Sequence, residues 1–126
     1  MNTATKYLGL ELKSPIIAGS CGLTNNLDNL AKLEQAGAGA VILKSVFEEQ
    51  IIFDIKRNKT VLAPTDQYGS SYEYIASHMA DDALEKHFDL IRQAKNTISI
   101  PVIGSINCYQ FENWLTYAQR FQEAGC

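Results

Sequence analysis

A chain of 126 residues, 46% hydrophobic and 20% charged, has the size of one domain and the composition of an ordinary globular protein, which excludes a disordered segment. A net charge of -3 without any basic stripe excludes a surface built to neutralise nucleic-acid phosphates, and partners of that class are not expected. No run approaches the roughly 20 apolar residues that cross a bilayer, so no membrane partner is expected either, and residues 1–6 lack the apolar core of a signal peptide.

Residues 7–15, Tyr-Leu-Gly-Leu-Glu-Leu-Lys-Ser-Pro, alternate with period two and predict a small hairpin. Ile16-Ile17-Ala18-Gly19-Ser20 then predicts a strand over 16–20. Its continuous apolar run suits a strand buried on both faces of a parallel sheet. A helix follows a polar loop, with Leu27, Leu30, Ala31 and Leu33 as its apolar face and Ala36-Gly37 as its stop. Val41-Ile42-Leu43-Lys44-Ser45 completes a second strand at 40–45.

A long irregular segment is expected over about 47–80, where a connection of that length is either functional or contains short helices of its own. Lys56, Arg57 and Lys59, the densest basic cluster, read as a solvated loop. Asp82 can cap the next helix, with Glu85 three residues on and Leu84, Phe88, Ile91 and Lys95 marking one face. Pro101 opens a third strand, Val102-Ile103-Gly104-Ser105-Ile106-Asn107. A helix at 111–124 follows, with Phe111, Trp114, Leu115, Ala118 and Phe121 on one side.

The order is therefore a hairpin and then strand–helix three times, an α/β pattern with right-handed crossovers and a parallel sheet. Three strands are few beside the roughly five or six of an average sheet. The helix stop at Ala36-Gly37 recurs at Ala124-Gly125, so the sequence reads as the first part of a larger protein.

All three strands end in small or polar residues, and the carboxyl ends of parallel strands are where such sheets build their sites. Lys44 is the strongest single candidate: directly after Val-Ile-Leu on a buried strand it must reach an open rim or snorkel to solvent. Ala18, Gly19 and Ser20 can let a flat ligand approach backbone, or simply ease a tight turn. Ser105 and Asn107 share a strand face, and Asn107 can equally form a local Asx turn. Cys21, Cys108 and Cys126 are an odd set without metal-ligand spacing. They read as reduced thiols of a cytoplasmic protein, and Cys21 and Cys108 as packing residues before a redox pair.

Leu-Lys-Ser-Pro-Ile-Ile-Ala-Gly-Ser at 12–20, Ala-Gly-Ala-Gly-Ala-Val-Ile-Leu-Lys-Ser at 36–45 and Pro-Val-Ile-Gly-Ser-Ile-Asn at 101–107 together resemble the N-terminal part of the dihydroorotate dehydrogenase family. The resemblance covers essentially the whole chain. It implies a partial (β/α)8 TIM barrel with residues 1–126 as an incomplete portion of one domain, since a full barrel takes roughly 250 residues. It also implies flavin mononucleotide (FMN) as cofactor, contacted by Ala18, Gly19, Ser20, Lys44, Ser45, Ser105 and Asn107, with Lys44 also near a small carboxylate-bearing substrate. The family's catalytic base and phosphate loops would lie beyond Cys126, so weak or absent flavin binding is expected of this chain alone. One departure stands out: the family's Asn-x-x-Gly-x-x-Asn-like substrate loop is replaced by Pro64-Thr65-Asp66-Gln67-Tyr68-Gly69-Ser70-Ser71-Tyr72-Glu73-Tyr74.

Two other functions fit the same residues. One is a barrel enzyme that forms a Schiff base on Lys44, in the manner of an aldolase. The other is a non-catalytic half-barrel that self-associates, because exposed sheet edges favour a homo-oligomer.

Overall fold

The computed structural model describes residues 3–53, 57 and 84–126, and it is a mixed α/β structure with small sheets. The predicted hairpin is present but begins earlier than the 7–15 expected. Strand β1 (Thr5–Tyr7) pairs antiparallel with β2 (Leu10–Leu12) through a two-residue turn, Leu8-Gly9, in which both φ angles are positive. That geometry matches the twist of the two strands and suits Gly9, whereas Leu8 adopts it against its side chain.

Strands β3 (Ile17–Ala18), β4 (Ala40–Ile42) and β6 (Val102–Ile103) form a parallel sheet in the order β3-β4-β6. Beyond them, β5 (Val46–Phe47) pairs parallel with β7 (Ile106–Asn107). Between the two ladders, Leu43, Lys44 and Ser45 oppose only Gly104 and Ser105, because Ile42 pairs with Ile103 and Val46 with Ile106. One strand thus carries an extra residue, a bulge of the kind that re-aims side chains beside binding sites.

Helix α1 (Leu27–Gln35) starts where the Asn26 side chain accepts from the Asn29 N–H at 2.9 Å. It ends at Gly37, in the left-handed region, with Gly37 N–H on the Glu34 carbonyl and Ala38 N–H on the Leu33 carbonyl. Helix α4 (Phe111–Ala124) closes in the same way. There Gly125 N–H reaches the Gln122 carbonyl and Cys126 N–H the Phe121 carbonyl. Both are Schellman motifs, which is why the Ala-Gly signal marks the two stops so cleanly. Residues 48–53 are helical (α2), so the long segment expected from about 47 opens with a short helix, one of the two forms anticipated for it. Helix α3 covers 84–97. Asp82 and residues 64–74, singled out from the sequence, lie outside the described residues.

The three helices α1, α3 and α4 bury one face of the sheet. Leu30, Leu84, Phe88, Ile91, Ala94, Phe121 and Ala124 close over Val41, Leu43 and Val102. On the opposite face Ala40 is buried but Ile17, Ile42 and Ile103 are only half-buried, so strands expected to be covered on both sides are fully covered on one. Gly104 lets the Phe121 ring lie on the strand, since a Cβ there would run into the ring. At the other end of the sheet a Cβ on Gly39 would meet the Ser14 backbone, which seats the chain after the hairpin against β4.

Helix α4 corrects a second expectation. Phe111, Trp114, Leu115 and Ala118, read as its packed side, are exposed, while Phe121 and Ala124 are buried and Asn113, Tyr117 and Arg120 half-buried. Its rotation is fixed at both ends. Phe121 packs edge-on to Phe88 with centroids 5.4 Å apart, and Arg120 lies 4.8 Å over the Phe88 ring while pairing with Glu85 at 2.7 Å. At the first turn the Glu48 carboxylate, only 3% exposed, accepts from Tyr109 N–H (2.6 Å), Gln110 N–H (2.9 Å) and Asn113 Nδ2 (2.6 Å). A carboxylate placed on free N–H groups at a helix start satisfies both its own burial and the helix end.

Candidate functional site

The bulge decides where the backbone N–H groups at the end of β4 go. Leu43 N–H donates to the Ile103 carbonyl (2.9 Å), as a parallel ladder requires. Lys44 N–H instead leaves the sheet for the Thr24 carbonyl (3.3 Å) in the 3-10 turn Gly22–Asn25, and Ser45 N–H donates to Ser20 Oγ (2.9 Å). Val46 N–H then rejoins the ladder at the Ser105 carbonyl (2.9 Å). Thr24 is fully buried and tied to Cys21 by its own hydroxyl, so the turn that receives Lys44 is braced.

With that geometry the three strand-end serines form one row. Ser20 Oγ lies 3.0 Å from Ser45 Oγ, and Ser45 Oγ lies 2.7 Å from Ser105 Oγ. Three hydroxyls carry three protons and the row contains two O···O bonds, so one proton is left for a ligand. The row is partly wet: Ser20 is exposed, and Ser45 and Ser105 are half-buried.

The other expected rim residues differ in what they contribute. A Cβ on Gly19 would meet nothing within 4 Å, so open space adjoins the backbone beside Ser20. Ala18 pairs with Val41 and packs against the helix-side core, which leaves only its backbone for a ligand. Asn107 is exposed on β7 opposite Phe47 and takes no part in the serine row. Cys21 is exposed and Cys108 buried, and all three thiols are free. Burial, helped by the Glu48 and Glu49 charges, pushes the Cys108 thiol up and favours its neutral form.

Lys44 is exposed and lines an open cleft of about 320 Å³ with Asn25, Ser45, Lys86, His87 and Leu90. Asn25, Lys86 and His87 escaped the sequence reading, because helical periodicity assigns 86 and 87 only to the flank of an apolar stripe. Glu48 escaped it too: a carboxylate just after a strand reads as surface until the following helix start is placed against it. Burial holds the His87 imidazole below its ordinary value. The ring lies 5.5 Å from that of Phe121, and its Nε2 is shut off without a hydrogen-bond partner among the described residues.

Among the described residues no helix is long and apolar enough to cross a membrane. No family model matches the chain. Among curated proteins, it is 28% identical over 123 residues to the catalytic subunit of dihydroorotate dehydrogenase B (NAD(+)) from Thermoplasma acidophilum. That match takes in 98% of this chain but 38% of the subunit, so the chain spans well under half the length of the curated relative it matches. Along nearly all of its length, then, the chain is similar to part of a dihydroorotate dehydrogenase subunit.

Proposed function

We propose that this chain is part of an FMN-dependent oxidoreductase resembling dihydroorotate dehydrogenase, built on a (β/α)8 barrel of which these strands and helices are one portion. The whole protein would take a hydride from a small carboxylate-bearing substrate, and FMN when bound supplies the acceptor for it. The observation that carries this reading is the hydrogen-bonded row Ser20–Ser45–Ser105 at three adjacent strand ends, with Lys44 beside it. Similarity along 98% of the chain to a dihydroorotate dehydrogenase subunit supports the same assignment.

The residues fit a flavin. Open space at Gly19 admits a flat ring against backbone, and the spare serine proton offers a donor to its polar edge. The Lys44 ammonium would stabilise the negative charge that arrives with hydride and would attract the substrate's carboxylate. Ala18 would contribute backbone, and Asn107 would reach the ligand only at the margin of the site.

The test is made on the protein expressed from the complete reading frame. It should carry flavin absorbance, and K44M and S45A should each lower flavin occupancy and dehydrogenase turnover. Flavin-free protein, or reduction with borohydride that traps a carbonyl compound on Lys44, would overturn the reading in favour of Schiff-base chemistry.

A further inference from the structure

Two consecutive backbone N–H groups leave the sheet at the bulge, and a single turn, residues 20–25, receives both. Lys44 N–H goes to the Thr24 carbonyl (3.3 Å) and Ser45 N–H to Ser20 Oγ (2.9 Å). Without these acceptors each would be a stranded donor at a strand end, and the backbone would turn it toward water. Where Lys44 and Ser45 point therefore depends on the shape of that turn.

Backbone bonding alone holds the turn weakly. Gly22–Asn25 is one turn of 3-10 helix between two extended residues, Cys21 and Asn26. Thr24 N–H closes it on the Cys21 carbonyl at 3.1 Å, and 3-10 hydrogen bonds are poorly aligned. The Thr24 hydroxyl adds two bonds between the same residues, donating to the Cys21 carbonyl (3.0 Å) and accepting from Cys21 N–H (3.1 Å). Thr24 is 0% exposed, so water does not compete at the hydroxyl. Valine would fill the same space, so burial by itself does not call for threonine there. With no surface of its own, Thr24 touches no ligand. Its neighbour Asn25 reaches the cleft, beside Lys44 and Ser45.

We propose that Thr24 is a positioning residue of the strand-end site: its buried hydroxyl fixes the 20–25 turn in the shape that receives the Lys44 and Ser45 N–H groups, and so aims the Lys44 ammonium and the Ser45 hydroxyl at the ligand. This rests on the reading of Lys44 and Ser45 as flavin-facing, and it adds a residue that acts only through them.

The experiment compares native, T24V and T24S forms of the protein made from the complete reading frame. Hydrogen exchange is followed at the amides of residues 43–46, and FMN affinity is measured by quenching of flavin fluorescence. In T24V the Lys44 and Ser45 amides should exchange about tenfold faster while Leu43 and Val46, held by the ladder, keep their native rates. FMN should bind about fivefold more weakly, the scale of one lost neutral hydrogen bond, and T24S should restore both properties. Unchanged exchange at Lys44 and Ser45 overturns the proposal. A uniform rise over 43–46 also overturns it, because it shows a general loss of stability, and so does altered exchange with native FMN affinity. Native protein without flavin would sink the flavin reading instead, and the exchange pattern would still decide whether Thr24 holds the two N–H groups. Should T24V fail to fold, T24C takes its place, since a thiol fills the site but is a weak donor and acceptor.

Discussion

Single side chains join parts of this fold that are far apart in sequence. Glu34 on α1 accepts from both the N–H (2.8 Å) and the hydroxyl (2.7 Å) of Ser99, and Lys13 after the hairpin donates to that hydroxyl at 2.9 Å. These hydrogen bonds, chiefly the one from the Ser99 side chain, hold the Glu34 carboxyl below its usual 4.5. A lowered carboxyl contributes stability that is present above the unfolded value and lost as pH falls through the folded one. E34Q should therefore be less stable than the native chain at neutral pH, with the difference shrinking as pH falls below 4.5. Urea midpoints measured across that range check the sign, and a constant difference would contradict it. Neither Glu34 nor Ser99 stands out in the sequence, because a bond across 65 residues leaves no local pattern.

Whole elements were legible where a backbone rule governs them and illegible where a tertiary contact does. The apolar runs at 16–20, 40–45 and 101–107 place three strands, and the Ala-Gly pairs place two helix ends, because only glycine closes a Schellman motif without strain. The bulge at 43–45 has no such signature. It is a mismatch in count between two strands, visible only once they are paired, yet it is what draws Ser45 between Ser20 and Ser105. Helix α4 shows the opposite failure. Its periodicity is clear, but Phe111, Trp114 and Leu115 give the stripe of greatest hydrophobicity while Glu48 and Gly104 set the face that is buried. If Glu48 holds α4 in place, E48A should cost about 2–3 kcal/mol, the scale of a lost charged cap with its donors left buried. Equilibrium unfolding gives the number, and a loss under about 0.5 kcal/mol, within the scatter of ordinary surface substitutions, would show that the clamp is dispensable.

For the molecule as a whole, the described structure leaves much apolar surface without cover. Phe111 is 87% and Leu115 67% exposed, the outer edges of β3 and β6 are unpaired among the described residues, and one face of the sheet is only half-buried. Such edges template pairing with another chain. We propose that this 126-residue chain in isolation associates with itself through them. Sedimentation velocity should show a concentration-dependent species larger than the monomer, and F111E/L115E should reduce it. A stable monomer at high micromolar concentration would contradict that expectation.

Similarity to 38% of a dihydroorotate dehydrogenase subunit fits the same picture, in which further strands and helices of a larger protein would cover these surfaces. The serine row and Lys44 are proposed here as the flavin-facing rim of such a protein. That assignment is tested most directly by the flavin content of the protein made from the complete reading frame, native and S45A side by side. Native protein is expected to carry close to one FMN per chain, with a marked loss on removing the hydroxyl that links Ser20 to Ser105. Native protein without flavin, or S45A protein with undiminished flavin, would contradict it.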